Sequence, residues 1–139
     1  MLFRSYKDAF LLTPNFSEFT AVVKKSNLSE KDILVEGTRL IKKLNLEALV
    51  ITRSEKGMSI ITRGNHKVDI ATAAQEVFDI TGAGDTVISM LSVAIASGLD
   101  IEEAVILANY AAGIVVGKVG TSTVTLPEVS SVVERRHPA

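Results

Sequence analysis

A chain of 139 residues has room for one ordinary folded unit with a sizeable core. With 15 Lys and Arg against 16 Asp and Glu it carries a net charge of −1, so no overall field draws it to nucleic acid or to an anionic membrane. The absence of cysteine excludes a disulfide scaffold, a thiolate metal site and a cysteine nucleophile, and agrees with a reducing compartment. The opening "MLFRSYKDAFLLTPN" lacks the apolar run of a secretory signal, which leaves a cytoplasmic location as the expectation.

In chain order, "AFLLTPN" (9–15) reads as a short buried strand ended by Pro14. "NFSEFTAVVKK" then offers Asn15 as an N-cap with Glu18 three residues on, the spacing of a capping box. "SEKDILVEGTRLIKKLN" places Ile33, Leu34, Leu40, Ile41 and Leu44 near helical spacing, with Ser29 able to cap the start; this predicts an amphipathic surface helix. "LEALVITR" is β-branched and predicts a buried strand. "GMSIITR" and "HKVDIAT" predict two more, joined through Gly64-Asn65, and "QEVFDI" a further short extended piece. The alternation suggests an α/β sheet with a hairpin at one side.

Apolar residues make up 47% of the chain but aromatics only 5%, so the core must be built mainly from aliphatic side chains. The two richest stretches, "TVISMLSVAIASGL" and "AVILANYAAGIVVG", are 14 residues each, short of the roughly 20 that cross a bilayer as a helix. They predict two buried helices instead, from Asp85 to about Ser97 and from Ile101 to about Val116. Gly98 is a natural C-cap for the first; Asp100 opens the second with Glu102 and Glu103 in its first turn, where the macrodipole favours acids. A Gly/Thr-rich loop and a short helix begun by Pro127 finish the chain. His66 and His137 lack a ligand-spaced partner and read as surface residues.

The stretch "FDITGAGDTVISM" (78–90) carries the chemistry. Small residues let backbone approach a ligand closely, and the first amides of a helix have no intrahelical acceptor, so the turn suits a phosphate or a developing negative charge. Asp85 would repel such an anion unless it accepts a proton, as the base in phosphoryl transfer does. From spacing alone Asp85 reads equally as a helix-capping residue. Two other phosphate motifs are excluded: Gly84 is followed by Asp85 and Thr86 rather than Lys-Ser/Thr, and position 87 is Val where a dinucleotide fingerprint needs glycine.

"DITGAGDTVI" resembles the D-x-T-G-A-G-D signature of the ribokinase-like (pfkB-type) carbohydrate kinases. The order "LLTPNFSEF", "VITRSEKGMS", "QEVFDITGAGDTVI", "ANYAAGIVVGKVGTSTVT" is most similar to the heptose 7-phosphate kinase branch, over about residues 10–133. That branch phosphorylates the anomeric oxygen of D-glycero-β-D-manno-heptose 7-phosphate on the route to ADP-heptose and the lipopolysaccharide core. The resemblance implies a three-layer α/β ribokinase-like fold, of which this chain would be the C-terminal, nucleotide-binding half, without the sugar-binding lid and without the nucleotidyltransferase domain of the bifunctional members.

The resemblance further implies Asp85 as catalytic base and the amides of Gly82, Ala83 and Gly84 as an anion hole. Asn15, Phe16, Ser17 and Glu18 match an N-x-x-E element near the nucleotide phosphates and Mg²⁺. Ser54 and Gly57 fall in a loop against the nucleotide, and Asn109 falls beside the adenine. Asp79 and Thr81, with carbonyls from the loop near 116–123, match a monovalent cation site of potassium-activated members. The implied ligands are ATP, Mg²⁺, K⁺ and a phosphorylated sugar. The expected partner is a second copy or a complementary N-terminal half. A noncatalytic nucleotide-binding or dimerisation fragment, and a kinase for another sugar, nucleoside or vitamin, remain open alternatives.

Overall fold

A computed structural model describes residues 3–136. Composition led us to expect one folded unit; the chain divides instead into two compact units, Met1–Ile70 and Ala71–Ala139. The boundary lies within "VDIATAA", immediately after a strand, and carries no proline, glycine or charge run to mark it.

The first unit is a four-stranded mixed sheet with two helices. Its strands, β1 (Leu11–Leu12), β2 (Ala48–Thr52), β3 (Met58–Thr62) and β4 (Lys67–Ile70), lie in that order across the sheet. β1 pairs parallel to β2, and the rest is antiparallel, with Val50 opposite Ile60 and Ile60 opposite Val68. The β3–β4 hairpin turns through Gly64 and Asn65 as expected; Asn65 takes φ 61. The strand expected over 9–15 shrinks to two paired residues. Pro14 has no N–H to add to a ladder, and Asn15 makes only an isolated parallel bridge to Thr52 before the chain turns into a helix.

That helix, α1 (Phe16–Val23), starts with the full capping box: Asn15 Oδ1 accepts from Glu18 N at 2.9 Å and Glu18 Oε2 from Asn15 N at 3.0 Å. α2 (Glu30–Leu44) repeats the device with Ser29 and Asp32, and ends on Asn45 in the left-handed region, φ 57. Ile33, Leu40, Ile41 and Leu44 form its buried stripe, and with Phe19, Leu49, Ile51 and Ile61 they make the core of this unit.

The second unit is helical: α3 (Ala83–Ala96), α4 (Ile101–Val116) and α5 (Leu126–Arg136). α3 lays Val87, Leu91 and Ala94 against α4. Ala104, Ala108 and Ala111 are fully buried on α4, and their small side chains allow close packing. Asp100 and Glu103 cap α4 reciprocally. The C-cap of α3 is Ser97, with Gly98 next at φ 96. α5 starts one residue before Pro127, and Glu128 Oε2 accepts from both Thr125 N (2.8 Å) and Thr125 Oγ1 (2.9 Å).

One expected element is absent. "QEVFDI" forms no strand, because the amides of Phe78 and Asp79 both donate to the Val116 carbonyl at the end of α4 (2.8 and 3.3 Å). This segment is pinned to a helix terminus rather than to a ladder, and Val77, Phe78 and Ile80 stand exposed along it. His66 is exposed as expected, and His137 lies outside the described residues. Among the described residues no helix is long and apolar enough to cross a membrane.

Candidate active site

The glycine turn opens α3 in the second unit. Gly82 is its N-cap at φ 83, ψ 0, a left-handed conformation that a side chain would strain, and a Cβ there would also stand 3.4 Å from Thr121 Cγ2. Beyond it the amides behave differently from one another. Ala83 N donates to Ile80 O (3.2 Å) and Thr86 N to Gly82 O (3.0 Å), while the N–H groups of Gly82, Gly84 and Asp85 have no acceptor among the described residues. The anion hole expected from Gly82, Ala83 and Gly84 is therefore open at two of those amides, and the Asp85 amide joins them. A helix start with unpartnered N–H groups and the positive end of the helix dipole is suited to phosphate oxygens.

Asp85 sits in the first turn of α3, exposed, and its carboxylate makes no hydrogen bond or ion pair among the described residues. The capping alternative for this side chain is not realised: α3 has no side-chain cap. Thr86, next to it, turns inward and donates its hydroxyl to Gly82 O at 3.1 Å.

Asp79 stands on the other side of the turn. Its Oδ1 accepts from Thr81 N at 2.8 Å, closing a tight loop over Ile80. Hydrogen bonds from the Thr81 side chain and amide, and from the Gly120 backbone, hold the Asp79 carboxyl below the usual aspartate range. The end of α4 and the loop after it thus lie against the turn at three points: Val116 O, Gly120 and Thr121. The groups gathered here are a carboxylate, hydroxyls and carbonyls, an oxygen-only donor set of the kind hard cations take. No group of three or more acidic or histidine side chains among the described residues could hold a metal ion by itself.

Asn109 is 5% exposed on α4, and both ends of its amide are engaged: Nδ2 donates to Ala71 O at 2.8 Å and Oδ1 accepts from Ala73 N at 3.4 Å. This is the bonding of a buried polar residue that fastens a neighbouring backbone segment. Beside it, Gly113 is tight: a Cβ would meet the Ala73 carbonyl carbon at 3.0 Å.

The first unit gathers the other group of expected site residues. Thr52 N donates to Pro14 O at 3.0 Å, so the end of β2 fixes the start of α1, and residues 53–57 follow directly. Asn15 and Ser17 are exposed, whereas Phe16 and Glu18 are half-buried. Both Asn15 Oδ1 and Glu18 Oε2 are engaged in the capping box; Glu18 Oε1 has no partner among the described residues. Ser54 is exposed at φ 51 and starts a short 3-10 helix, Ser54–Lys56, which Gly57 closes from a buried position at φ 79, ψ −127. Only glycine takes that conformation without strain.

Sequence reasoning missed Arg53, which is central to this unit. Its side chain, 8% exposed, lies with its guanidinium carbon 5.5 Å from the centroid of the Phe16 ring. It donates to Glu30 twice (2.6 and 3.0 Å) and to Ser59 Oγ (3.0 Å). Asp69 is 3.7 Å away, and Lys67 completes the cluster by pairing with Glu30 (3.0 Å) and Asp69. Arg53 and Lys67 together hold the Glu30 carboxyl down to about 2. An arginine after a strand carries no local signal of such a role.

The chain matches the family model described as pfkB family carbohydrate kinase over residues 4–128. It is 55% identical over 137 residues to the bifunctional protein HldE of Histophilus somni (strain 129Pt), covering 99% of this chain and 29% of that protein. To the HldE of Pasteurella multocida (strain Pm70) it is 53% identical over 134 residues, covering 96% and 28%. It thus spans less than a third of the length of these relatives. Among solved structures it resembles the ribokinase of Thermotoga maritima (27% identity, TM-score 0.80, 90% of this chain and 42% of that one). The Arabidopsis thaliana ribokinase complexed with ribose and ATP is similar at 24% identity and TM-score 0.81, covering 89% and 40%. The phosphofructokinase-2 of Escherichia coli in complex with potassium shares the fold at 15% identity and TM-score 0.84, covering 95% and 42%. With its mixed sheet, its glycine turn at a helix start and these matches, the chain has a ribokinase-like α/β fold and belongs to the pfkB family of carbohydrate kinases.

Proposed function

We propose that this chain is the nucleotide-handling part of a heptose 7-phosphate kinase, which transfers the γ-phosphoryl group of ATP to the anomeric hydroxyl of D-glycero-β-D-manno-heptose 7-phosphate. The observation that carries the reading is the start of α3: a partnerless, exposed Asp85 within one turn of three open amides. The identity of about half to the HldE proteins supports this branch of the family over other sugar kinases.

Asp85 accepts the proton of the acceptor hydroxyl as its oxygen attacks the γ-phosphorus; the bond to the ADP oxygen breaks and the proton stays on the carboxylate. The open amides of Gly82, Gly84 and Asp85 hold the transferring oxygens, and one such donor in a dry site is worth about 2.7–4 kcal/mol in the transition state. Ala83 holds the turn shut through Ile80. Glu18, whose Oε1 is unpartnered among the described residues, would meet Mg²⁺ bound with the nucleotide, and that ion would neutralise charge on the phosphates. Asn15, Phe16, Ser17, Ser54 and Gly57 are assigned to the nucleotide on the family resemblance. Asn109 serves the adenine side by fixing the backbone of 71–73. Asp79, Thr81 and carbonyls from the 116–123 loop would hold a K⁺ ion, whose charge would brace the turn. The acceptor site comes from the further length that the relatives possess, supplied by a complementary N-terminal part, and the reaction belongs in the cytoplasm.

The test combines this chain with the separately expressed N-terminal kinase segment of the Histophilus somni relative and follows ADP release with heptose 7-phosphate. Asp85→Asn is expected to lower turnover by about 10²–10⁴, the usual share of a general base. Equal turnover by the Asn variant would sink the assignment of the base; equal turnover with ribose or fructose 6-phosphate would sink the substrate.

A further inference from the structure

We infer that Arg53 is a positioning residue for nucleotide binding: its guanidinium locks the start of α1, through Phe16, to the Ser54–Gly57 loop. This rests on the reading above, in which both segments face the nucleotide.

The loop is built on Arg53 from both ends of its backbone. Arg53 N donates to Gly57 O at 2.8 Å and Lys56 N donates to Arg53 O at 3.0 Å, so the four residues after it close into a ring around it. Two residues in the ring hold positive φ, Ser54 at 51 and Gly57 at 79. A ring containing a left-handed serine is intrinsically costly and persists only if its surroundings over-determine it. The Arg53 side chain anchors the residue on whose backbone that ring closes. It lies over the Phe16 ring, takes both oxygens of Glu30 at the start of α2, and bonds Ser59 on β3. Ser59 is fully buried and donates its own hydroxyl to Asp69 Oδ1 at 2.6 Å. One planar, nearly buried cation thereby ties the residue that opens the loop to two helix starts and two strands. Lysine has neither the fork for Glu30 nor the plane for Phe16.

Lys67 belongs to the same charge cluster but touches neither Phe16 nor the loop. It therefore separates positioning from mere stability. The experiment measures binding of ATP with Mg²⁺ to this chain by calorimetry, and the thermal midpoint, for wild type, Arg53→Met, Arg53→Lys and Lys67→Met. Arg53→Met is expected to weaken binding by about tenfold, less than the roughly hundredfold that a 1 Å misplacement of reacting groups costs. Arg53→Lys should fall between it and wild type and keep the chain folded should the Met variant not be. Lys67→Met should lower the midpoint and leave affinity unchanged. Wild-type affinity in both Arg53 variants overturns the inference, and so does a loss in Lys67→Met equal to that in Arg53→Met. A wild-type chain that is folded and binds no nucleotide overturns the functional reading itself, and the inference with it.

Discussion

Gly37 lies buried in the middle of α2, where glycine is normally a poor choice, and its neighbours explain it. A Cβ at this position would overlap Ile61 Cδ1, while Ile61 Cγ1 at 3.5 Å and Leu49 Cδ2 at 3.6 Å would be ordinary contacts. Ile61 is fully buried on β3, so its terminal methyl has little room to move aside. Gly37→Ala gains about 1 kcal/mol of helix propensity and loses about 1–3 kcal/mol to overpacking. The single variant should thus be neutral to about 2 kcal/mol less stable. Ile61→Val removes the offending methyl at a cost of about 0.5–1.5 kcal/mol, and in that background Gly37→Ala should become stabilising. The double-mutant cycle should show a coupling of about 1–3 kcal/mol. Urea unfolding followed by far-ultraviolet circular dichroism is the assay, since the chain has no tryptophan. Additivity within about 0.3–0.5 kcal/mol would refute the argument that the glycine is there to admit Ile61.

Two further outcomes follow from side chains already described. The Glu30 carboxyl is lowered from 4.5 to about 2 in the folded chain, because Arg53 first and Lys67 second bond its charged form; Asp69 is the facing like charge. The Glu30 contribution is therefore fully present above pH 4.5 and is lost as pH falls toward 2, since the unfolded chain takes up the proton first; Glu30→Gln should flatten that part of the acid limb in a pH series of unfolding midpoints. Asn109→Ala strands the Ala71 carbonyl and the Ala73 amide and should cost about 1–3 kcal/mol, read by denaturant unfolding and by faster amide exchange at Ala73.

Much of the fold was legible because its signals are local. Asn15 with Glu18, Ser29 with Asp32 and Asp100 with Glu103 are three-residue spacings that need no partner elsewhere, and each capping box forms. The length of β1 and the state of the 75–80 segment are not legible, for the opposite reason. Whether an apolar run becomes a strand depends on what lies beside it, and here the neighbour is a bridge residue in one case and the end of α4 in the other. The glycine turn was readable in its chemistry but not in its detail: nothing in "TGAG" says that Ala83 N turns back to Ile80 while the Asp85 amide stays open. The Arg53 cluster was invisible, since Phe16, Glu30, Ser59 and Asp69 are spread across more than fifty positions and meet only once the sheet has formed.

Asp79 has a consequence beyond the turn it closes. It stands between Phe78 and Ile80, which are 64% and 73% exposed, and Val77 before them is 61% exposed. Without the charge, "VFDI" would be a short, wholly apolar run of strand-forming residues lying outside any ladder. The interior carboxylate, with Glu76 at the edge, places charge inside and beside that run, the composition by which natural sequences interrupt such stretches. Because hydrogen bonds from Thr81 and Gly120 hold that carboxyl ionised to lower pH than a free aspartate, the contacts that shape the turn also keep a charge among these exposed apolar side chains as the medium turns acidic.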